Sequence, residues 1–271
     1  MKLSLPPDSP AHDRPGEFLP PKETPRSIKI EIFIVFAITL GAAGLRSLVS
    51  LIDSALQPTP LAGQSVSIVV PLARASYLDM TRQLIDIVSK TSWGLLGLYL
   101  LWRAGIRFSQ HLGLDLRKPW SDTAKAVGLA AVIGIPGLVF YVVAYRAGLN
   151  LDVVPTALKD VWWSGPVLIL AAIENGFLEE VLVVGYLLTR LRQLNVNPWV
   201  ALAASALLRG SYHLYQGFGG FAGNVLMGLV FGYAYLRWRR LGPLIVAHSL
   251  IDIVAFVGYA LAGDWFNGFL R

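Results

Sequence analysis

Long apolar segments separated by short polar connections dominate this chain. Seven of these segments each have roughly the 20 residues that a helix needs to cross the hydrocarbon core of a bilayer. They are residues 30–52, 84–103, 124–145, 164–189, 197–216, 219–236 and 242–262. Only a Gly-rich turn after Gln216 separates the fifth segment from the sixth. The pattern predicts an all-α fold, a polytopic transmembrane helix bundle of about seven spans.

The composition agrees with a membrane protein. Hydrophobic residues make up 55% of the chain and charged residues only 15%, whereas soluble domains average about 25% charged residues. The absence of Cys excludes disulfides, thiolate metal sites and Cys nucleophiles. The net charge of +6 is spread over the loops and forms no aromatic-interleaved basic patch. We therefore expect the lipid bilayer, and no nucleic acid, as a partner.

The Lys and Arg residues are distributed unevenly between alternate connections. If the N-terminus lies inside, most of these residues fall in inside segments, among them Arg237, Arg239 and Arg240 after the sixth span. The positive-inside rule favours this orientation. We expect the N-terminus inside and the C-terminus outside.

The regions before the fourth span lack candidate chemistry. Residues 1–28 are rich in Pro, carry mixed charges and have no apolar run. They predict a disordered cytoplasmic tail rather than a signal peptide. Residues 29–160 predict N-terminal membrane helices that act as a scaffold. The apolar piece at residues 65–73, in a long connection, either packs against the bundle or dips into the membrane interface.

Acidic and His side chains interrupt the apolar pattern in the C-terminal half. Glu179 and Glu180 are adjacent in the fourth span, His213 lies in the fifth, and His248 and Asp252 share one helix face in the seventh. A further carboxyl, Glu174, precedes the acidic pair. An ionisable group at bilayer depth costs ~3 kcal/mol on insertion scales. The cluster therefore indicates function rather than packing.

These side-chain types suit attack of activated water on a peptide carbonyl. A carboxylate in an apolar cavity is a stronger base than in water, a neighbouring His can share its proton, and a second His can stabilise an oxyanion. Proton relays use the same groups, so a proton-coupled or small-solute transporter is the alternative. A non-catalytic scaffold or immunity protein is a third interpretation. One Glu and two His could also hold zinc, although the sequence has no HExxH motif.

The three motifs resemble those of the CPBP family, the intramembrane proteases related to the CAAX prenyl endopeptidase and to bacterial abortive-infection proteins. The family pattern is EExxxR, then FxxxH, then HxxxN or HxxxD, each on its own membrane helix. Glu179 and Glu180 match the start of the first motif, residues 209–213 end on the His of the second, and residues 248–252 match the third fully. The resemblance covers about residues 160–262.

The resemblance implies an intramembrane endopeptidase that cleaves a membrane protein or peptide. Glu179 would activate water with help from His213, His248 and Asp252 would stabilise the oxyanion, and Glu180 would support the base. The family has been described both as metalloprotease and as glutamate protease, so a divalent metal such as zinc stays open.

The resemblance also sets the expected domains and location. Residues 161–262 would be the catalytic membrane core and residues 263–271 a short C-terminal tail. We expect a multi-pass protein of the cell membrane, the plasma membrane of a bacterium.

Two positions depart from the family pattern. Val184 stands where EExxxR has Arg, and Arg209 stands where FxxxH has Phe. We hypothesise that Arg209 replaces the missing cation by pairing with Glu180 or Glu179, because an unpaired buried charge is costly. The predicted span boundaries place His213 and His248 at depths that differ by roughly 15 Å. A shared site therefore requires the fifth helix to begin deeper or to tilt.

Overall fold

The computed structural model describes residues 23–270, without the side chains of residues 264–267 and 269–270. Most of the predicted tail, residues 1–22, lies outside the described residues, as does Arg271 at the other end. The first helix begins at Pro25, before the predicted start of the first span. Thr24 caps it by accepting a hydrogen bond from the backbone N–H of Ser27.

Helices make up most of the described chain, which supports the predicted all-α membrane fold. Nine α-helices follow one another within residues 23–270: α1 Pro25–Ile38, α2 Leu40–Leu56, α3 Ser76–Arg103, α4 Pro119–Arg146, α5 Ser164–Glu179, α6 Leu187–Gln193, α7 Pro198–Ser211, α8 Phe218–Trp238 and α9 Gly242–Leu270. The shorter elements are two π-helical segments, Phe108–Leu112 and Glu180–Tyr186, and two 3-10 turns, Leu61–Gly63 and Leu214–Gln216.

Four helices of the described chain are long and apolar enough to cross a membrane, namely α3, α4, α8 and the part Gly242–Gly263 of α9. A fifth crossing is possible if α1 and α2 form one span, although they are bent by 48° around Thr39. The count of seven is not confirmed. With 14 residues, α7 measures only about 21 Å, less than the ~30 Å hydrocarbon core.

The outward faces of the long helices are apolar. On α3, Val88 is 65% exposed, and on α4, Val132 and Ile135 are 63% and 69% exposed. A soluble protein rarely leaves such continuous apolar surface in water. These faces fit contact with lipid, so the chain is a multi-pass membrane protein.

The apolar piece at residues 65–73 contains a strand that the sequence did not predict. Its first part forms β1, Ser65–Val69, which pairs in parallel with β2, Asp152–Thr156. Ser65 pairs with Asp152 and Val69 with Thr156. The pairing fixes the α2–α3 connection against the α4–α5 connection.

The centre of the molecule is the continuous helical run formed by α5, the segment Glu180–Tyr186 and α6. Every residue of Glu180–Tyr186 is buried. Small residues let α3 approach this run, because a Cβ on Gly94 would lie 2.6 Å from Phe177 Cε1 and one on Gly97 2.6 Å from Leu182 Cδ2. Close packing from α3, α7 and α9 therefore surrounds the acidic pair.

Two ion clusters hold the ends of the helices. The buried guanidinium of Arg190 bonds both carboxylate oxygens of Glu31 at 2.8 Å, which ties α1 to α6. Arg240, at the α8–α9 turn, pairs with Asp115 at 3.0 Å and Asp122 at 2.5 Å. The second cluster fastens the α3–α4 connection to the start of the helix that carries His248.

Candidate active site

Three parts of the fold bring the predicted site residues together. The end of α5 and the start of the π segment supply Glu179 and Glu180, α7 with the turn after it supplies Arg209 and His213, and α9 supplies His248. The carboxylates, the guanidinium and the imidazole of His248 are at most 4% exposed. Contacts between residues 29 to 68 positions apart in sequence thus form one buried polar cluster.

Arg209 lies between the two carboxylates. Its Nη2 donates to Glu180 Oε1 at 2.5 Å and its Nη1 to Glu179 Oε2 at 3.3 Å. The forked guanidinium offers separate nitrogens to the two side chains, which a Lys could not do in the same way. The predicted pairing is confirmed, while Val184 packs fully buried in the apolar core.

Glu179 has one occupied and one open carboxylate oxygen. Tyr212 donates its hydroxyl to Oε2 at 2.7 Å, the oxygen that also faces Arg209. The other oxygen, Oε1, lies 3.8 Å from His213 Nε2, beyond hydrogen-bond length. Sequence reasoning missed Tyr212, although its position beside a predicted site His was a usable signal.

His248 is held between two carboxylates. Its Nδ1 lies 2.8 Å from Glu180 Oε1, and its Nε2 lies 3.6 Å from Asp252 Oδ2. In the tautomer that carries a proton on Nδ1, His248 donates to Glu180. Asn175 of α5 donates to Asp252 at 2.8 Å, a contact that no sequence motif indicated.

The expected depth difference between His213 and His248 does not separate them. The ion-pair distances of 3.8 Å from His213 to Glu179 and 2.8 Å from His248 to Glu180 place both imidazoles at the acidic pair. Helix α7 ends at Ser211, so His213 belongs to the turn beyond it. Because α7 ends early, the turn that follows it places His213 beside Glu179.

The same part of the chain matches a known family. Residues 161–254 match the family model described as Type II CAAX prenyl endopeptidase Rce1-like. The match confirms the family resemblance that the three motifs indicated. It covers about a third of the chain, from just before α5 into α9, and contains all the predicted catalytic residues. No curated protein and no solved structure was found to match the chain.

Several buried polar atoms of this CAAX-protease-like segment lack a hydrogen-bond partner among the described residues. They are Glu174 Oε1, Glu180 Oε2, Arg209 Nε, His213 Nε2 and Ser249 Oγ. Buried polar groups are normally satisfied by protein or by ordered water. The cluster therefore has bonding capacity left for water or for polar atoms of a substrate.

The zinc alternative stays a prediction. Among the side chains that the structure describes, no three from His, Asp or Glu are arranged to hold a metal ion. The guanidinium of Arg209 occupies the position between Glu179 and Glu180, where a divalent cation would meet its positive charge.

Proposed function

We propose that this protein is an intramembrane endopeptidase that hydrolyses a peptide bond in or near the membrane by Glu-activated water. The observation that carries the proposal is the open Oε1 of Glu179, inside a segment that matches a protease family. It lies 3.8 Å from His213 Nε2, which has no hydrogen-bond partner in the described part of the chain. One water molecule about 2.8 Å from each of these two atoms would bridge them. General-base catalysis requires such contact.

Glu179 is the proposed base and His213 its assistant. Glu179 takes a proton from the water as the water oxygen bonds to the peptide carbonyl carbon. The peptide C–N bond then breaks, and the same proton passes to the leaving amine. Tyr212 and Arg209 hold the other oxygen of Glu179 and so direct Oε1 towards the water.

His248 is the proposed oxyanion donor. With its Nδ1 proton directed to Glu180, the Nε2 side remains for the carbonyl oxygen when the imidazole is protonated. Asp252 and Glu180 flank the ring and balance its positive charge. Preorganised donors of this kind commonly contribute about 3–4 kcal/mol to transition-state stabilisation.

The membrane setting follows from the same proposal. We infer that the continuous helical run of residues 164–193, about 45 Å long, crosses the bilayer and that α7 enters it only in part. In this arrangement the N-terminus lies on the inner side of the membrane. The membrane is the cell membrane of a bacterium, and the substrate is a membrane protein or peptide. The distribution of Lys and Arg supports this orientation.

Cleavage of membrane peptides by the purified full chain tests the function. Glu179→Gln and His248→Ala should each reduce the rate by at least about a hundredfold, since each removes a group that acts in the transition state. A chelator should leave the wild-type rate unchanged.

The controls separate proteolysis from the other interpretations. Asp53→Asn changes an exposed carboxylate that is far in sequence from the site residues, and this variant should keep full activity. Cleavage by Glu179→Gln at the wild-type rate would refute the glutamate mechanism. Proton-coupled uptake into vesicles without any cleavage would support the transporter alternative.

A further inference from the structure

A cavity of about 670 Å³ opens where the β1–α3 connection meets the β2–α5 connection. Residues 71–74 line one wall and residues of the stretch 159–163 line the other. The cavity is separate from the candidate active site, because Glu179 lies about 22 Å along α5 from Ser164, at 1.5 Å per residue. We call it the β-face cavity.

The β-face cavity has an excess of positive charge. Arg74 and Lys159 line it, and within the described part of the chain neither has a carboxylate at ion-pair distance. Asp79 also lines it, but this carboxylate is buried and its Oδ1 accepts from the backbone N–H of Leu72 at 2.7 Å and from Gln83 at 3.3 Å. One acidic oxygen is therefore held by the wall, and the two cations outnumber the single carboxylate of the lining.

The walls of the β-face cavity are held in place by the protein itself. The indole N–H of Trp163 donates to Ser76 Oγ at 2.9 Å and so joins the two walls. The amide of Gln83 donates to the carbonyl of Val70 at 2.8 Å. The pairing of β1 with β2 fixes the strands that lead into both walls. A site formed in advance loses less entropy when it binds a ligand.

Exposed aromatic residues place the β-face cavity at the level of lipid headgroups. Trp162 is 84% exposed and Tyr77 is 68% exposed, each next to a lining residue. Trp and Tyr concentrate at the boundary between membrane and water. The apolar helix α3 begins here, so a bilayer crossed by α3 would bring its headgroups near the two cations.

We propose that the β-face cavity binds the phosphate of an anionic lipid headgroup. The guanidinium of Arg74 can donate two parallel hydrogen bonds to phosphate oxygens, and Lys159 adds a second positive charge. The volume lies within the usual 300–1,000 Å³ of small-molecule sites. A lipid bound there would brace the connections that lead into α3 and α5.

Native mass spectrometry of the full chain, stripped of lipid in a neutral detergent, tests this site. Phosphatidylglycerol is titrated into wild type and into the double variant Arg74→Ala/Lys159→Ala. Two interfacial cations should make the dissociation constant of the tightest phosphatidylglycerol about thirtyfold weaker in the variant. The charge-retaining variant Arg74→Lys/Lys159→Arg should stay within a fewfold of wild type.

The control removes two exposed cations elsewhere, in Arg117→Ala/Lys118→Ala, and should bind as wild type does. Equal weakening in the control and the cavity variant would overturn the proposal, because it would show general charge attraction only. Unchanged binding in the cavity variant would overturn it as well. Inorganic phosphate should displace the lipid poorly; complete displacement at equal concentration would reassign the cavity to free phosphate.

Discussion

At the scale of single residues, one guanidinium organises the site. Arg209 touches both carboxylates, and its Nη1 also lies 3.5 Å from His248 Nδ1. Its charge compensates a pair of carboxylates that could not share an apolar pocket alone. The family pattern carries a cation on the acidic helix, at the position of Val184, whereas this chain supplies it from α7. The position of the charge along the sequence has changed, while a cation still faces the acidic pair.

Replacing Arg209 should be costly, and relocating its charge should restore part of the loss. Arg209→Phe leaves two buried carboxylates without a cation and should lower the free energy of unfolding by about 3–5 kcal/mol. Adding Val184→Arg should recover part of that stability and part of the cleavage rate. Denaturant titration in detergent micelles measures the first effect and peptide cleavage the second. A double variant that is worse than both single variants would contradict the compensation.

Tyr212 is a positioning residue for Glu179. Tyr212→Phe removes the hydroxyl that bonds Oε2, so Oε1 loses its fixed direction and cleavage should slow by about tenfold. Tyr186→Phe is a matched control, because it removes a buried hydroxyl that bonds Glu31 at the same 2.7 Å, away from the site. Both variants should lose similar stability, but only Tyr212→Phe should lose activity. Equal rates for the two variants would count against this role.

At the scale of elements, the site depends on how closely α5 and α9 approach. A Cβ on Gly176 would lie 2.6 Å from Ser249 Oγ and 2.8 Å from its backbone nitrogen. Glycine is therefore required one residue after Asn175, where α5 meets the helix that carries His248 and Asp252. The π segment that follows α5 is of a kind often found at functional sites.

Adding one methyl group at this contact should disturb both packing and chemistry. Gly176→Ala should destabilise the protein by about 1–3 kcal/mol, because backbone atoms of α9 must move. The shift should also lower the cleavage rate by displacing His248. Gly165→Ala on the same helix meets no atom within 4 Å and should be neutral. Thermal unfolding and peptide cleavage of the two variants give the comparison; an unaffected Gly176→Ala would show that α9 can adjust freely.

At the scale of the whole molecule, an ion cluster at the helix ends holds the connections together. Arg240 joins the α8–α9 turn to Asp115 of the α3–α4 connection and to Asp122 in the first turn of α4. The hydrogen bond from Arg240 and the backbone N–H of Arg117 hold the pKa of the Asp115 carboxyl below its ordinary value. This cluster therefore links global stability to pH.

The pH dependence has a defined sign. A carboxyl whose pKa is lowered by folding adds stability that is fully present above its unfolded pKa, about 3.9, and is lost as pH falls through the folded pKa. The difference in Tm between wild type and Asp115→Asn should be constant from pH 7 to about pH 5 and should shrink below pH 4. A difference that persists undiminished at low pH would rule out an ionised Asp115 as its source.

The sequence predicted the helices and the polar residues better than their arrangement. Apolar length located the long helices α3, α4, α8 and α9, and three short motifs selected Glu179, His213 and His248, which the fold brings together. The strand β1 was missed, because a five-residue apolar piece carries no signal for a distant partner strand. The predicted count of seven spans is not confirmed. Hydropathy does not reveal that α7 ends at Ser211 and is therefore short. Tyr212 and Asn175 were missed because their hydroxyl and amide acquire roles only through contacts across helices.

The sequence by itself determined that this chain is a helical membrane protein with carboxylates and imidazoles in its apolar segments, because those properties depend on residue type and spacing along one helix. Only the tertiary structure decided that Arg209 lies between Glu179 and Glu180 and that Tyr212 occupies one oxygen of Glu179. The tertiary structure likewise brought Arg74 and Lys159 to one cavity. These contacts join residues far apart in sequence, and their geometry depends on how the helices pack.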